Sequence, residues 1–338
     1  MLSISRLITT RKALPLPRTV RSLSTLSSYP NAIKPSKAEV QNSQLSPENL
    51  EIAIRSLYHD GLVVVNDVVP HDMLDRLNEK MIQDAHTLFA RKENSPFNYN
   101  PNNIQQDAPP LQEYFEPQIF MNSIATQITS TALGPKPKWT FCSGNTAMPP
   151  TPEFPPESQP VHSDADFHHP DHPFALVINV PLITMTPENG STEVWLGTHQ
   201  DTGLHMQEGL HGERASGRIK TDELEKRRAV RSPCQPVVPK GSVVLRDLRL
   251  WHAGIGNKTD SVRVMLAMIH FAPWYRNPMK LQFCEDLKTT LEQQEHLEIL
   301  VEWESKENIT QQYLNRAFGN AYDFSQGGQE KKADIEDI

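Results

Sequence analysis

From about residue 137 the apolar residues of this chain come in short runs parted by turns, and that spacing restricts the fold more than any other feature. The clearest runs, at 139–146, 174–182, 192–196, 242–251 and 262–271, are rich in β-branched and aromatic residues and read as strands. Upstream the pattern is helical. Ser46-Pro47 reads as the cap and first turn of a helix reaching about His59 and ending near Gly61. A strand follows at 62–69. Pro70 opens a second helix to about Arg91, with Leu74, Leu77, Met81, Ala85 and Leu88 at helical spacing. Residues 94–113 read as a long loop, 117–133 as a third helix and 281–318 as C-terminal helices. Helices first and strands afterwards predict a mainly β fold with flanking helices, a sandwich or barrel with the helices packed outside. Six prolines within 149–160 exclude regular structure there. Residues 201–233 read as a polar surface excursion.

Charge divides the chain unevenly. Residues 1–38 hold seven basic residues and no acid, whereas the whole chain carries −8. A Ser/Thr/Arg-rich, acid-free start has the composition of a mitochondrial transit peptide and lacks the apolar run of a secretory signal. Arg6-Leu7 followed by Ala13-Leu14 resembles a peroxisomal address more weakly, and a cytoplasmic location is the remaining alternative. The expected organisation is a targeting or disordered N-terminus at 1–40, one domain over 45–320 and a disordered tail at 325–338. Three widely spaced cysteines argue against a disulfide framework. No stretch of about 18 apolar residues is present, so no membrane-spanning helix is expected. The acidic balance argues against nucleic acid as the main partner; oligomeric state is not legible.

The chemistry concentrates in Val161-His162-Ser163-Asp164. On an extended strand residues i and i+2 share a face, so His162 and Asp164 can present an imidazole and a carboxylate to one point. His252 stands at the end of the 242–251 run. Two histidines and one carboxylate on one face of a metal form the facial triad of non-haem Fe(II) oxygenases. A His-Xaa-Asp match is weak by itself among 13 histidines, and a histidine at a strand end can equally be structural. A further signal lies in the 261–269 run, which is apolar on both faces and reads as a buried central strand. Arg263 sits inside it, eleven residues after His252. A buried cation needs a partner. That partner is either an acid of the protein or an anionic ligand, for which the guanidinium fork is suited.

These residues resemble the signature of the phytanoyl-CoA dioxygenase family. Pro187-Glu188-Asn189-Gly190-Ser191-Thr192-Glu193 with Gly197-Thr198-His199, and Gly241-Ser242-Val243-Val244 before Trp251-His252, are similar to its supporting text. The resemblance covers about residues 48–275. It implies a double-stranded β-helix (jelly roll, cupin-like), with Fe(II) held by His162, Asp164 and His252. It also implies 2-oxoglutarate and dioxygen as co-substrates, with Arg263 on the distal carboxylate. The activity implied is oxidation of a C–H bond of a small organic substrate, hydroxylation first, with release of succinate and carbon dioxide. Desaturation, epoxidation or rearrangement would use the same cofactors, and a non-catalytic jelly-roll binding protein is the rival class. Gly254 departs from the pattern, since some members carry a serine there. Asn145 and Asn179, on strands flanking the motif, are expected to line the co-substrate pocket. His168, His169 and His172 read as loop residues, although His168 is placed to reach the substrate, and His199 reads as structural. Arg246 and Arg249 fall on opposite faces of their strand, so only one can point inward.

Overall fold

The structure, a computed structural model, describes residues 27–211, 216–316 and 324. In chain order its strands are β1 (Ala32–Ile33), β2 (Leu62–Val65), β3 (Asn103–Gln106), β4 (Lys138–Ala147), β5 (Ala175–Pro181), β6 (Glu193–Val194), β7 (Gln207–Glu208), β8 (Arg218–Ile219), β9 (Val243–Asp247), β10 (His252–Ala253), β11 (Arg263–Phe271), β12 (Leu281–Cys284), β13 (Glu298–Ile299) and β14 (Val301–Glu304). The main sheet runs β1-β2-β9-β5-β11-β4-β13, with β3 paired on β4. The 261–269 run behaves as its composition demands: β11 lies between β5 and β4, antiparallel to both. Val264, Leu266 and Met268 face outward into the main hydrophobic core, while Met265, Ala267 and Ile269 line an internal cavity.

Helices cover the outer face of this sheet. Pro47–Asp60 starts at the Ser46 cap and ends on Gly61, whose φ of 73° is the left-handed turn a glycine supplies. In His71–Phe89 all five residues picked out by helical spacing are buried. Each large apolar side chain so buried contributes about 1.5–3 kcal/mol.

A second, narrower wall closes the cavity, and much of it is made of single bridges. Arg218 pairs with His162, His162 with His252, and Val194 with Cys234; His252 also pairs with Val194. The 201–233 segment is therefore part of this wall: Ile219 is buried and its N–H bonds to the Val161 carbonyl. The two opposed walls make the predicted double-stranded β-helix.

Several boundaries differ from expectation. The fold takes in residues assigned above to the leader: Ala32–Ile33 extends the main sheet parallel to β2, and Ser36 caps a helix at Lys37–Gln41. Residues 94–113 contain β3, whose polar sequence hides it because β4 supplies the pairing. The third helix is two, Pro117–Phe120 and Ser123–Leu133, since Asn122 caps the second by accepting from the Ala125 N–H. The C-terminal region mixes strand and helix: β12 and β14 pair in parallel, and among the described residues Lys288–Glu292 and Lys306–Gln312 are α-helical. Residues 1–26 and the 325–338 tail lie outside the described residues. Among the described residues no helix is long and apolar enough to cross a membrane.

Candidate active site

His162 and His252 are brought together by the backbone. Their main chains exchange both hydrogen bonds, His162 N–H to His252 carbonyl at 2.9 Å and the reverse at 3.0 Å. Directly opposed residues of an antiparallel pair project to the same face, and the two imidazole centroids lie 4.3 Å apart. Each ring is oriented by its own strand. Nδ1 of His162 bonds to the Pro160 carbonyl and Nδ1 of His252 to the Leu250 carbonyl, both at 2.9 Å. A carbonyl can only accept, so Nδ1 carries the proton and each Nε2 presents a lone pair. Burial pushes both histidines below the usual imidazole range, so both are neutral at pH 7.

Asp164 completes the set. Its Oδ1 lies 3.8 Å from His162 Nε2 and 3.7 Å from His252 Nε2, and the three ligand atoms lie within 4.8 Å of one another. Burial works to raise the Asp164 carboxyl. The adjacent Arg246 guanidinium, which donates through Nη2 to Asp164 Oδ2, and the two facing imidazoles together outweigh it and hold the group well below the usual carboxylate range. Two lone pairs and a carboxylate oxygen thus converge with no proton among them. Acceptors so placed repel one another unless a cation stands between them, and two imidazoles with one carboxylate are the donor set of mononuclear non-haem iron. The residues fit that metal.

The triad stands on the wall of a cavity of about 230 Å³. Asn145 and Asn179 line it as expected, and Asn179 Nδ2 donates to the Leu266 carbonyl at 3.3 Å. Arg263 lies directly behind Asn145 and does not itself line the cavity. Its Nη1 donates to the backbone and side-chain oxygens of Asn145, and its Nη2 to the Gly190 carbonyl, all at 3.0 Å. No carboxylate meets it among the described residues. Burial alone pushes its pKa down to about 10, so it stays cationic. Gly190 delivers that carbonyl by a close approach: a Cβ there would lie 2.3 Å from the Ile255 oxygen.

Other candidates separate cleanly. His168, His169 and His172 do not line the cavity; His169 bonds to the Pro170 carbonyl and stacks on Phe174. His199 bonds to the Tyr58 carbonyl, a structural role. Arg249 is spent on Asp247 and Pro170, so Arg246 is the inward arginine. Sequence reasoning missed Tyr99, Asp166, His211 and Gln159 among the cavity residues. Tyr99, at φ 67°, holds its ring 4.8 Å from that of His162, tilted by 47°. Asp166 binds His211 at 2.8 Å. Gln159 Oε1 accepts the Gly254 N–H at 2.7 Å, and a Cβ on Gly254 would meet that oxygen at 2.6 Å. The departure at Gly254 is therefore matched by Gln159. Tyr99 and Gln159 sit in loops without periodicity, where no sequence signal marks an inward side chain.

Fold and site together define a mononuclear non-haem iron enzyme built on a jelly roll. The chain matches the family "Phytanoyl-CoA dioxygenase (PhyH)" over residues 57–265. It belongs to that family, and with it to the 2-oxoglutarate-dependent dioxygenases. Similar folds are found in the crystal structure of EctD from S. alaskensis in its apoform, at 18% identity over 77% of this chain and 88% of that one, with a TM-score of 0.51. SnoK from nogalamycin biosynthesis, described as a non-heme alpha ketoglutarate dependent carbocyclase, is similar at 17% identity over 70% and 86%, with a TM-score of 0.51.

Proposed function

We propose that this enzyme hydroxylates a C–H bond of a small organic substrate, with His162, Asp164 and His252 holding the iron and 2-oxoglutarate bound between the iron and the Asn145–Arg263 pair. The observation that carries this is the proton-free triad on a cavity wall that also holds Asn145, with a buried cation behind it that no acid among the described residues neutralises. When bound, the metal supplies the chemistry that couples loss of carbon dioxide from 2-oxoglutarate to transfer of one dioxygen atom onto substrate. The chain's own residues do the rest. The Pro160 and Leu250 carbonyls keep each Nε2 unprotonated and aimed. Arg263 balances the distal carboxylate, and Asn145 joins it from the cavity side. Phe141, Met185, Val194, Met265 and Ile269 give the substrate an apolar surface and exclude water. The cavity size supports a small metabolite. Purified protein given Fe(II), ascorbate, 2-oxoglutarate and air should release succinate, and Asp164→Ala should not. Equal succinate from both would overturn the reading. Comparing metabolites of a deletion strain with its parent would identify the substrate.

The cationic, acid-free start supports a mitochondrial address in about the first 25–30 residues. Residues 1–40 fused to a fluorescent reporter should reach mitochondria; a diffuse or peroxisomal signal would reject this.

A further inference from the structure

Arg246 occupies a position where strand alternation calls for an aliphatic residue. Its flanking partners across β9 are Leu62 on β2 and Val177 on β5. Both line the cavity, as does Val244 two residues away. Burying a guanidinium among aliphatic groups is unfavourable unless it has a specific partner, and Arg246 is only 7% exposed. That partner is Asp164, and the contact is confined to one of its oxygens. Arg246 Nη2 takes Oδ2, while Oδ1 is the oxygen turned toward both imidazoles.

We infer that Arg246 is a positioning residue that restricts Asp164 to ligation through Oδ1 alone. This rests on the iron reading above. A carboxylate can bind a metal through one oxygen or two. Were both Asp164 oxygens to bind the metal, Oδ2 would compete with the keto and carboxylate oxygens of 2-oxoglutarate for it. Held by Arg246, Oδ2 would be kept out of that competition. A purely structural ion pair would also place Arg246 here, but it would not make 2-oxoglutarate chelation depend on Arg246 while iron binding does not.

The test uses the full chain loaded anaerobically with ferrous ion. Iron affinity is measured first. Then 2-oxoglutarate is titrated by the visible charge-transfer band of its chelate, and succinate, a dianion without the keto oxygen, is titrated by competition. Wild type is compared with Arg246→Met, Arg246→Gln and Arg246→Lys. Arg246→Met and Arg246→Gln should keep iron, lose about 10- to 100-fold in 2-oxoglutarate affinity, the usual scale for removing a group that orients a metal ligand, and lose little for succinate. Arg246→Lys reaches Oδ2 and should restore chelation. Four outcomes overturn the inference: neutral variants that chelate like wild type, parallel loss of iron, equal loss for succinate and 2-oxoglutarate (a charge effect alone), or failure of both neutral variants to fold. A wild-type protein that binds no iron would instead sink the iron reading itself.

Discussion

Arg263→Lys is the substitution that isolates co-substrate recognition, and the structure shows why Arg263→Met does not. The guanidinium serves three oxygens, two of Asn145 and one of Gly190. Methionine strips the donor from all three. An unsatisfied buried acceptor costs about 1–3 kcal/mol, so the sum reaches much of the roughly 5–15 kcal/mol that keeps a domain folded. Lysine keeps the charge and three donors on one nitrogen. What it loses is the planar two-point grip. One charge-assisted hydrogen bond fewer costs about 1.5–3 kcal/mol, which is about 10- to 100-fold in affinity. Anaerobic titration of the iron-loaded variant with 2-oxoglutarate, read at the charge-transfer band, measures it. Iron stoichiometry should be unchanged because Arg263 is not a ligand, and a thermal melt verifies folding. A folded Arg263→Lys enzyme with wild-type 2-oxoglutarate affinity would refute the assignment.

His252→Ala should abolish bound iron, since only two ligands remain; full iron stoichiometry by metal analysis would remove His252 from the site. Gly190→Ala forces a left-handed residue at φ 82° against the Ile255 carbonyl; strain of about 1–2 kcal/mol should lower the melting temperature and loosen 2-oxoglutarate together, and an unchanged melt would contradict the close approach. Glu39 accepts from the backbone N–H groups of Ser46 and Ser36 and from the Asn49 amide, which holds its carboxyl down from 4.5 to about 2. A depressed carboxylate stabilises the fold above the unfolded value and loses that contribution as pH falls through the folded one. Glu39→Gln should therefore be less stable than wild type at pH 7, with the gap closing between about 4.5 and about 2; a gap independent of pH in denaturant titrations would count against this.

The parts legible in advance are those where chemistry and period are local. The helix 71–89 announces itself because five apolar residues recur at its own pitch. Asp164 is bound to share a face with His162 because strand geometry alone relates i and i+2. β11 declares its central place by being apolar on both faces. The parts that were not legible depend on a partner distant in sequence. β3 is polar and exists because β4 pairs with it. The domain takes in residues before 40 because Ile33, with little pattern around it, is buried beside β2. The expected C-terminal helices are shortened to two and interrupted by the parallel pairing of β12 with β14.

The site divides the same way. Residue types and spacing were enough to nominate two imidazoles, one carboxylate and a buried cation. Only the tertiary structure decided that His162 and His252 face each other as a hydrogen-bonded strand pair. It alone placed Arg263 behind Asn145, bonded to carbonyls, and chose Arg246 as the arginine turned to the metal-binding carboxylate. The reason is physical. Within one strand or helix the backbone period sets side-chain direction, so the sequence carries that information. Across strands, direction and contact follow from pairing register and from burial, which exist only once the chain has closed on itself.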